Sequence, residues 1–448
     1  MKKNTLITYL TCFFFLSVLV TYSQSIQNID EVRLICEMPD TGTPNDTFVA
    51  LREAARERLE NRSTPCTNFV VNYTGFPSGI PAGPGTEQIA FQLAVDIWAT
   101  LIESDQTIYI DANWVDTGNP SNLGGAAASY FAPLPGSTDN IIYPAALFEK
   151  LTNTVNTGDD IFCQFNSSRS DWFFPQDING DAPPGFFNFT AVVLHEIGHG
   201  LGMAGFGRTR GTLFGTGGYI RRDVNGNTTP LENDPNAIWT TPWDTFIESN
   251  GTPILDETTF PDPSTTMLTA FTTNDGSLNC NSPIAVAQNG GDLAETYAPT
   301  NFVAGTSYSH WDESTFNGTE TALMTPFLGA GEDVYDPGNV TLGFMEDMGW
   351  TLCQGSLSTE NFALENVKIS PNPFTQSITI ELPPQIINQE FNVSIVDING
   401  RIISNSEANT LNGEITISNL SNLKNALYFL TIESKTSDLR ITKKIIKN

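Results

Sequence analysis

Residues 189–206 read FTAVVLHEIGHGLGMAGF, and the fold turns on how this stretch is read. Its apolar residues keep helical spacing, and His195, Glu196 and His199 make H-E-x-x-H within it. Residues four apart lie one turn above each other on a helix face. Both imidazoles can then reach one tetrahedral zinc while Glu196 is directed toward a water. Zinc lowers the pKa of such a water toward about 7 and polarises a carbonyl, and the glutamate takes the proton and later delivers it to a leaving amine. The bland alternative is two histidines facing solvent on an ordinary helix. The apolar, glycine-punctuated context weighs against it, and the chain has only 3 histidines in all.

A catalytic zinc site needs a third protein ligand. In the compact form of the motif it is a histidine six residues past the second, but this position is Gly205, which has no side chain to offer. By elimination the third ligand is expected to be His310, in Thr306-Ser-Tyr-Ser-His-Trp-Asp-Glu, with Asp312 and Glu313 as fallback oxygen donors. A histidine without metal is the competing reading.

HEIGHGLG, a long insertion, SHWDE, LMTP and DMGW together resemble the metzincin zinc metallopeptidases with a displaced third histidine, the group of leishmanolysin and related bacterial secreted peptidases. The resemblance spans about Thr67 to Leu352, with specific motifs only in its later part. It implies an α+β zincin-like domain, a twisted sheet plus an active-site helix, that hydrolyses peptide bonds. It carries over His195, His199 and His310 as ligands of one catalytic Zn²⁺, Glu196 as base, and Met324 as a turn methionine under the metal. The departure is the length between His199 and His310, so a folded insertion is expected at about 207–305.

Working outward, Asn68–Tyr73 and Gln106–Val115 read as strands. Between them Thr86 caps a helix with Ile89, Leu93, Ile97 and Leu101 on one face. Strand, helix, strand suits a sheet covered by a helix. Upstream, residues 1–23 have a Lys2-Lys3 start, an apolar run of about 15 residues and a small-residue end, which is a signal peptide too short to span a bilayer. Residues 24–65 are read as a pro-segment with one amphipathic helix over Thr47–Arg62, and 66–355 as the metallopeptidase domain.

Beyond Cys12 in the signal, five cysteines remain, an odd number, so up to two disulfides and one spare thiol are expected. Cys36, in Cys-Glu-Met-Pro-Asp, is similar to the cysteine switch of matrix metalloproteinases, although Ile35 stands where those have arginine. That resemblance makes it a candidate latency switch; a Cys36–Cys66 disulfide is the alternative. Asp177-Ile-Asn-Gly-Asp and Asp223-Val-Asn-Gly-Asn offer clustered oxygens for a structural Ca²⁺, with plain Asx turns as the simpler reading.

Lys+Arg number 21 against 50 Asp+Glu, a formal charge of −29, which leaves no basic stripe for nucleic acid and disfavours an anionic membrane surface. The acid is concentrated before residue 360, which marks a second domain behind it. Residues 356–448 show short alternating segments and an Asn399-Gly400 hairpin signal, a small all-β sandwich. The PNPF opening and Lys443-Lys444…Lys447 end resemble the C-terminal sorting domain of type IX secretion substrates. That resemblance implies the type IX machinery as partner and an extracellular or cell-surface destination; a binding β-module is the alternative. The reading is thus a secreted, monomeric zinc endopeptidase precursor acting on protein or peptide, with no transmembrane segment. A secreted binding or adhesion protein on the same scaffold, or a zinc hydrolase of a non-protein amide, are the competing functions.

Overall fold

The computed structural model describes residues 35–61, 65–79, 85–210, 217–222, 238–353, 368–382, 390–397, 401–409, 414–435 and 440–448. The signal-peptide reading, the Asp223 loop and the Asn399-Gly400 turn lie outside them. The elements that matter for the site are, in chain order, β1 (Cys36–Pro44), β2 (Phe48–Val49), α1 (Glu53–Glu60), β3 (Phe69–Thr74), α2 (Thr86–Leu101), β4 (Ile108–Val115), β5 (Asn122–Ala128), β6 (Ile161–Asn166), α3 (Phe189–Gly200), β7 (Leu328–Ala330), β8 (Asp333–Val334) and α4 (Gly338–Met348).

Six strands form one sheet in the order β7-β1-β5-β6-β4-β3. β3, β4 and β6 run parallel, β5 runs antiparallel to β6, and β1 runs antiparallel to β5 and parallel to β7. α2 and α3 pack on this sheet and on each other. The Trp98 indole N–H donates to the Leu194 carbonyl at 2.9 Å and the Thr190 hydroxyl to that of Ala90 at 2.8 Å. The expected stripe on α2 is rotated: Ala90, Phe91, Ala94, Ile97, Trp98 and Leu101 are buried, while Ile89 and Leu93 are only partly so. Small residues on that face let the two helices approach closely, and the aromatic pair supplies burial worth roughly 1.5–3 kcal/mol each. The cap is Gly85 rather than Thr86, with the Gln88 side chain accepting the Gly85 N–H at 3.0 Å.

Two features differ from expectation upstream. The helix over Thr47–Arg62 shortens to α1, because β2 pairs in parallel with β8 and Asp336 accepts both the backbone N–H and Nε–H of Arg52, at 2.9 and 2.8 Å. In addition, within the described part of the pro-segment reading, Met38, Leu51 and Ala55 belong to the same hydrophobic core as α2 and α3. The expected insertion is described at 207–210, 217–222 and 238–305. It carries a four-stranded sheet built from Ile247–Ser249, Thr252–Pro253, Leu278–Cys280 and Ala294–Glu295, with helices at Pro242–Phe246, Thr265–Phe271 and Pro283–Gln288, and it shares that core.

One disulfide forms among the described residues, Cys66–Cys353, and Cys36, Cys163 and Cys280 are buried thiols. The Cys36–Cys66 alternative and the expectation of one spare thiol are therefore corrected. Cys36 and Cys163 register with Ala126 from opposite sides, two strand spacings or roughly 9–10 Å apart, beyond disulfide reach.

The tail has its own core around Phe374, Ile378, Phe391, Ile395, Leu430 and Ile445. Its strands are β9 (Lys368–Ser370), β10 (Ile378–Glu381), β11 (Glu390–Asp397), β12 (Ile402–Asn409), β13 (Glu414–Ile417), β14 (Leu427–Ser434) and β15 (Arg440–Ile446). They form two antiparallel sheets, β9-β10-β13 and β12-β11-β14-β15, the all-β module expected.

Candidate metal centre

α3 is buried along its whole length, which is why its sequence is apolar on every side except for Thr190, the two histidines and the glutamate. Asn188 caps it by accepting the Ala191 N–H at 3.1 Å. Two glycines within it are set by close neighbours. A Cβ at Gly198 would lie 2.8 Å from Met324 Sδ, and one at Gly200 would lie 2.3 Å from Ile161 Cγ2.

The side chains of His195, His199 and His310 converge. Nε2 of His199 is 3.0 Å from that of His195 and 3.0 Å from that of His310, and the remaining pair is 3.3 Å apart. On the other side of each ring, Nδ1 meets a backbone carbonyl: Leu323 at 2.6 Å for His195, Met203 at 2.7 Å for His199, and Thr306 at 2.6 Å for His310. A carbonyl oxygen only accepts, so each Nδ1 carries the hydrogen and each Nε2 presents a lone pair to the common centre. Burial keeps all three rings neutral, with His199 pushed down to about 4 and the other two well below the usual histidine range. Three lone pairs facing one another in a buried space repel unless a cation lies between them. The donor set and the carbonyl supports therefore fit a zinc ion.

Position 205 is closed to a histidine, because a Cβ at Gly205 would lie 2.3 Å from Tyr308 and 2.4 Å from Trp243. Tyr308 holds that wall by donating its hydroxyl to Asp244 at 2.9 Å, and the chain two residues on delivers His310 instead. The fallback oxygens are not among the converging donors. Asp312 caps the short helix Glu313–Phe316, and Glu313 accepts from Asn317. Met324 is fully buried at the end of the turn Ala322–Met324, one residue past the carbonyl that holds His195.

Glu196 points toward β5 and β1. It is fully buried, and neither carboxylate oxygen has a hydrogen-bond partner. Burial first, then Cys36 and Glu37, push its pKa well above the usual range. Cys36 is buried beside it. Burial raises its thiol, opposed by Arg208 and Ser309, and the converging donors are the three imidazoles without the thiol.

The Asp177 loop shows an Asx turn, its carboxylate accepting the Asn179 N–H at 2.9 Å. Sequence reasoning did not find Leu323, Met203 and Thr306, since a backbone carbonyl leaves no trace in residue type. It also passed over Asn122–Ala128, whose NLGGAAA has no alternation to read.

Residues 368–448 match the family described as secretion system C-terminal sorting domain, so the tail is an export address. No curated protein matches the chain. Among solved structures, PorZ, a surface component of the type IX secretion system of Porphyromonas gingivalis, is 21% identical over 23% of this chain and 14% of its own, with a TM-score of 0.17. An immunoglobulin-like β-sandwich protein of Bacteroides vulgatus, of the duf3244 family, is 18% identical over 18% of this chain and 83% of its own (TM-score 0.16). Latent PorU of P. gingivalis is 20% identical over 18% and 9% (TM-score 0.16). Among the described residues no helix is long and apolar enough to cross a membrane.

Proposed function

We propose that this chain is an exported zinc endopeptidase of the metzincin type, delivered by the type IX machinery through its tail. The single observation that carries the reading is the buried convergence of three Nε2 atoms, each ring held through its Nδ1 by a carbonyl, with the carboxylate of Glu196, next to His195 in sequence, left without a partner. His195, His199 and His310 would hold the zinc, whose Lewis acidity is the chemistry it supplies when bound. Glu196 accepts a proton from water and returns it to the departing amine. Met324 and the 322–324 turn hold His195 in place through the neighbouring carbonyl.

The test is casein hydrolysis by protein freed of the residues ahead of Cys66, with Glu196→Ala beside it. A rate lower in the variant by about 10²–10⁴, with zinc content unchanged, is expected. Intact casein in the presence of zinc-loaded parent would overturn the reading and shift weight to a binding scaffold or a non-peptide amide.

A further inference from the structure

The loop between the helix Ala145–Thr152 and β6 covers two carboxyl groups that the histidine centre does not use. Glu149, in the last turn of that helix, is 2% exposed, and Asp160, one residue ahead of β6, is 1% exposed. Glu149 Oε1 accepts the Tyr130 hydroxyl at 2.8 Å and the Asn156 N–H at 3.0 Å. Asp160 Oδ2 accepts the Tyr109 N–H at 2.8 Å, while its Oδ1 is sealed from solvent with no partner. The two carboxyl groups face each other within hydrogen-bonding reach. Ionised carboxylates only accept, so neither can satisfy the other.

Among the described residues no cation neutralises them, and none of the ion pairs includes Glu149, Asp159 or Asp160. Asp159 adds a third carboxylate, turned to Asn72 Nδ2 at 2.8 Å. Lys150 is next to Glu149 in sequence, but its Nζ donates to the Gly349 carbonyl at 2.6 Å and to the Thr351 hydroxyl at 2.9 Å. Glu149 also stands at the end of its helix where the backbone dipole favours positive charge. Buried charge of one sign without a counter-charge is strongly unfavourable. A proton removes the conflict at low pH, and a divalent cation removes it where the proton is lost. Val155, in the loop above, is 71% exposed, so the pair lies directly under a surface loop that an ion can pass.

We propose that Glu149 and Asp160 are the anchoring ligands of a calcium ion. The Tyr130 oxygen and the Asn156 side chain stand beside them. Every donor there is oxygen, which suits a hard ion that takes about six to eight oxygens, with water completing the shell, and does not suit zinc. The ion would join three pieces of chain behind the histidine centre. The Asp160 carbonyl accepts the Ser129 N–H at 2.8 Å, and the Tyr130 carbonyl accepts the Ala145 N–H at 3.0 Å. Between these bonds lie Phe131 and Pro144, which with Ala127 and Ala128 wall a small cavity against His199. Calcium there stiffens that wall without touching a zinc ligand, and the assignment stands whether or not the chain is a peptidase.

The experiment uses the full chain, stripped of metal, reloaded with one equivalent of zinc and kept in calcium-free buffer at about pH 8. Calorimetric titration with Ca²⁺ is expected to show one site, and calcium to raise the melting temperature of the body by about 4 °C or more, with a smaller rise from Mg²⁺. Asp160→Asn and Glu149→Gln, which keep shape and remove one charge, should each weaken calcium binding about tenfold or more, while Asp177→Asn leaves it unchanged. Without calcium Asp160→Asn should melt above the parent; with calcium the order should reverse. A second measurement needs neither variant. Tb³⁺ in the site is sensitised by the neighbouring Tyr130 ring, so calcium-displaceable luminescence should fall in Tyr130→Phe. A parent that takes up no calcium would overturn the proposal and leave a proton as the occupant of the pair. Calcium binding undiminished in both carboxyl variants, or luminescence untouched in Tyr130→Phe, would place the ion elsewhere on the acidic surface and sink it. An equal response to Mg²⁺ would overturn the assignment to calcium.

Discussion

At the scale of single residues, the centre is governed by which atoms are already engaged. His195 and His199 were legible because their spacing along one helix is covalent. His310 was legible by elimination, since no other histidine remained. The carbonyls of Leu323, Met203 and Thr306 were not, because they are chosen by where three separate turns come to rest. His310→Ala is expected to leave two donors and to lower zinc retention after dialysis from one per chain toward zero, read by elemental analysis. Gly198→Ala drives a methyl group to 2.8 Å from Met324 Sδ. The overpacking is expected to cost about 1–3 kcal/mol in denaturant unfolding, and Met324→Ala in the same chain should recover part of it.

Among the elements, β3, β4 and α2 were readable from alternation and helical periodicity, within a residue or two of their ends. β5 was not, because its register is fixed by the strands on either side, and glycines and alanines serve it by staying out of their way. The turn into β6 carries a buried acid of its own. Asp160 accepts the Tyr109 N–H at 2.8 Å through one oxygen and has no partner for the other, and burial pushes its pKa up to about 7 from an ordinary 3.8. The folded chain therefore holds this proton more tightly than the unfolded chain does. The stabilising contribution is complete below about pH 3.8 and is lost as pH rises from there through about 7. Asp160→Asn, which keeps an acceptor for Tyr109, is expected to flatten that part of the stability profile and to raise the melting temperature at pH 8. An unchanged slope in thermal melts across pH 4–8 would count against it.

For the whole molecule, the division between an acidic body and a charge-balanced tail was visible in composition, and it corresponds to two separate hydrophobic cores. What composition could not show is that the body's core reaches forward to Met38, Leu51 and Ala55. That follows from strand pairing between residues almost 290 apart in sequence, such as Asp40 with Leu328 and Phe48 with Asp333. Calorimetry of the full chain is expected to show two transitions. Zinc chelation should lower only that of the body, and a chain ending at Gln354 should keep only that one.

The bridge between Cys66 and Cys353 spans 287 positions, and both half-cystines hang from the end of α2, their N–H groups donating to Ala99 and Leu101 at 2.9 Å. It works as a clasp on a long ribbon. Its second half lies at the far end of the body, just ahead of the sorting tail, so nothing can close until the ribbon has been paid out in full beyond the reducing cytosol. A chain halted part-way lacks Cys353, the partner of Cys66 in the folded body. Completion of the body is thereby tied to the chemistry of the compartment it has reached, and the address at one end and the clasp beside it report on the same journey.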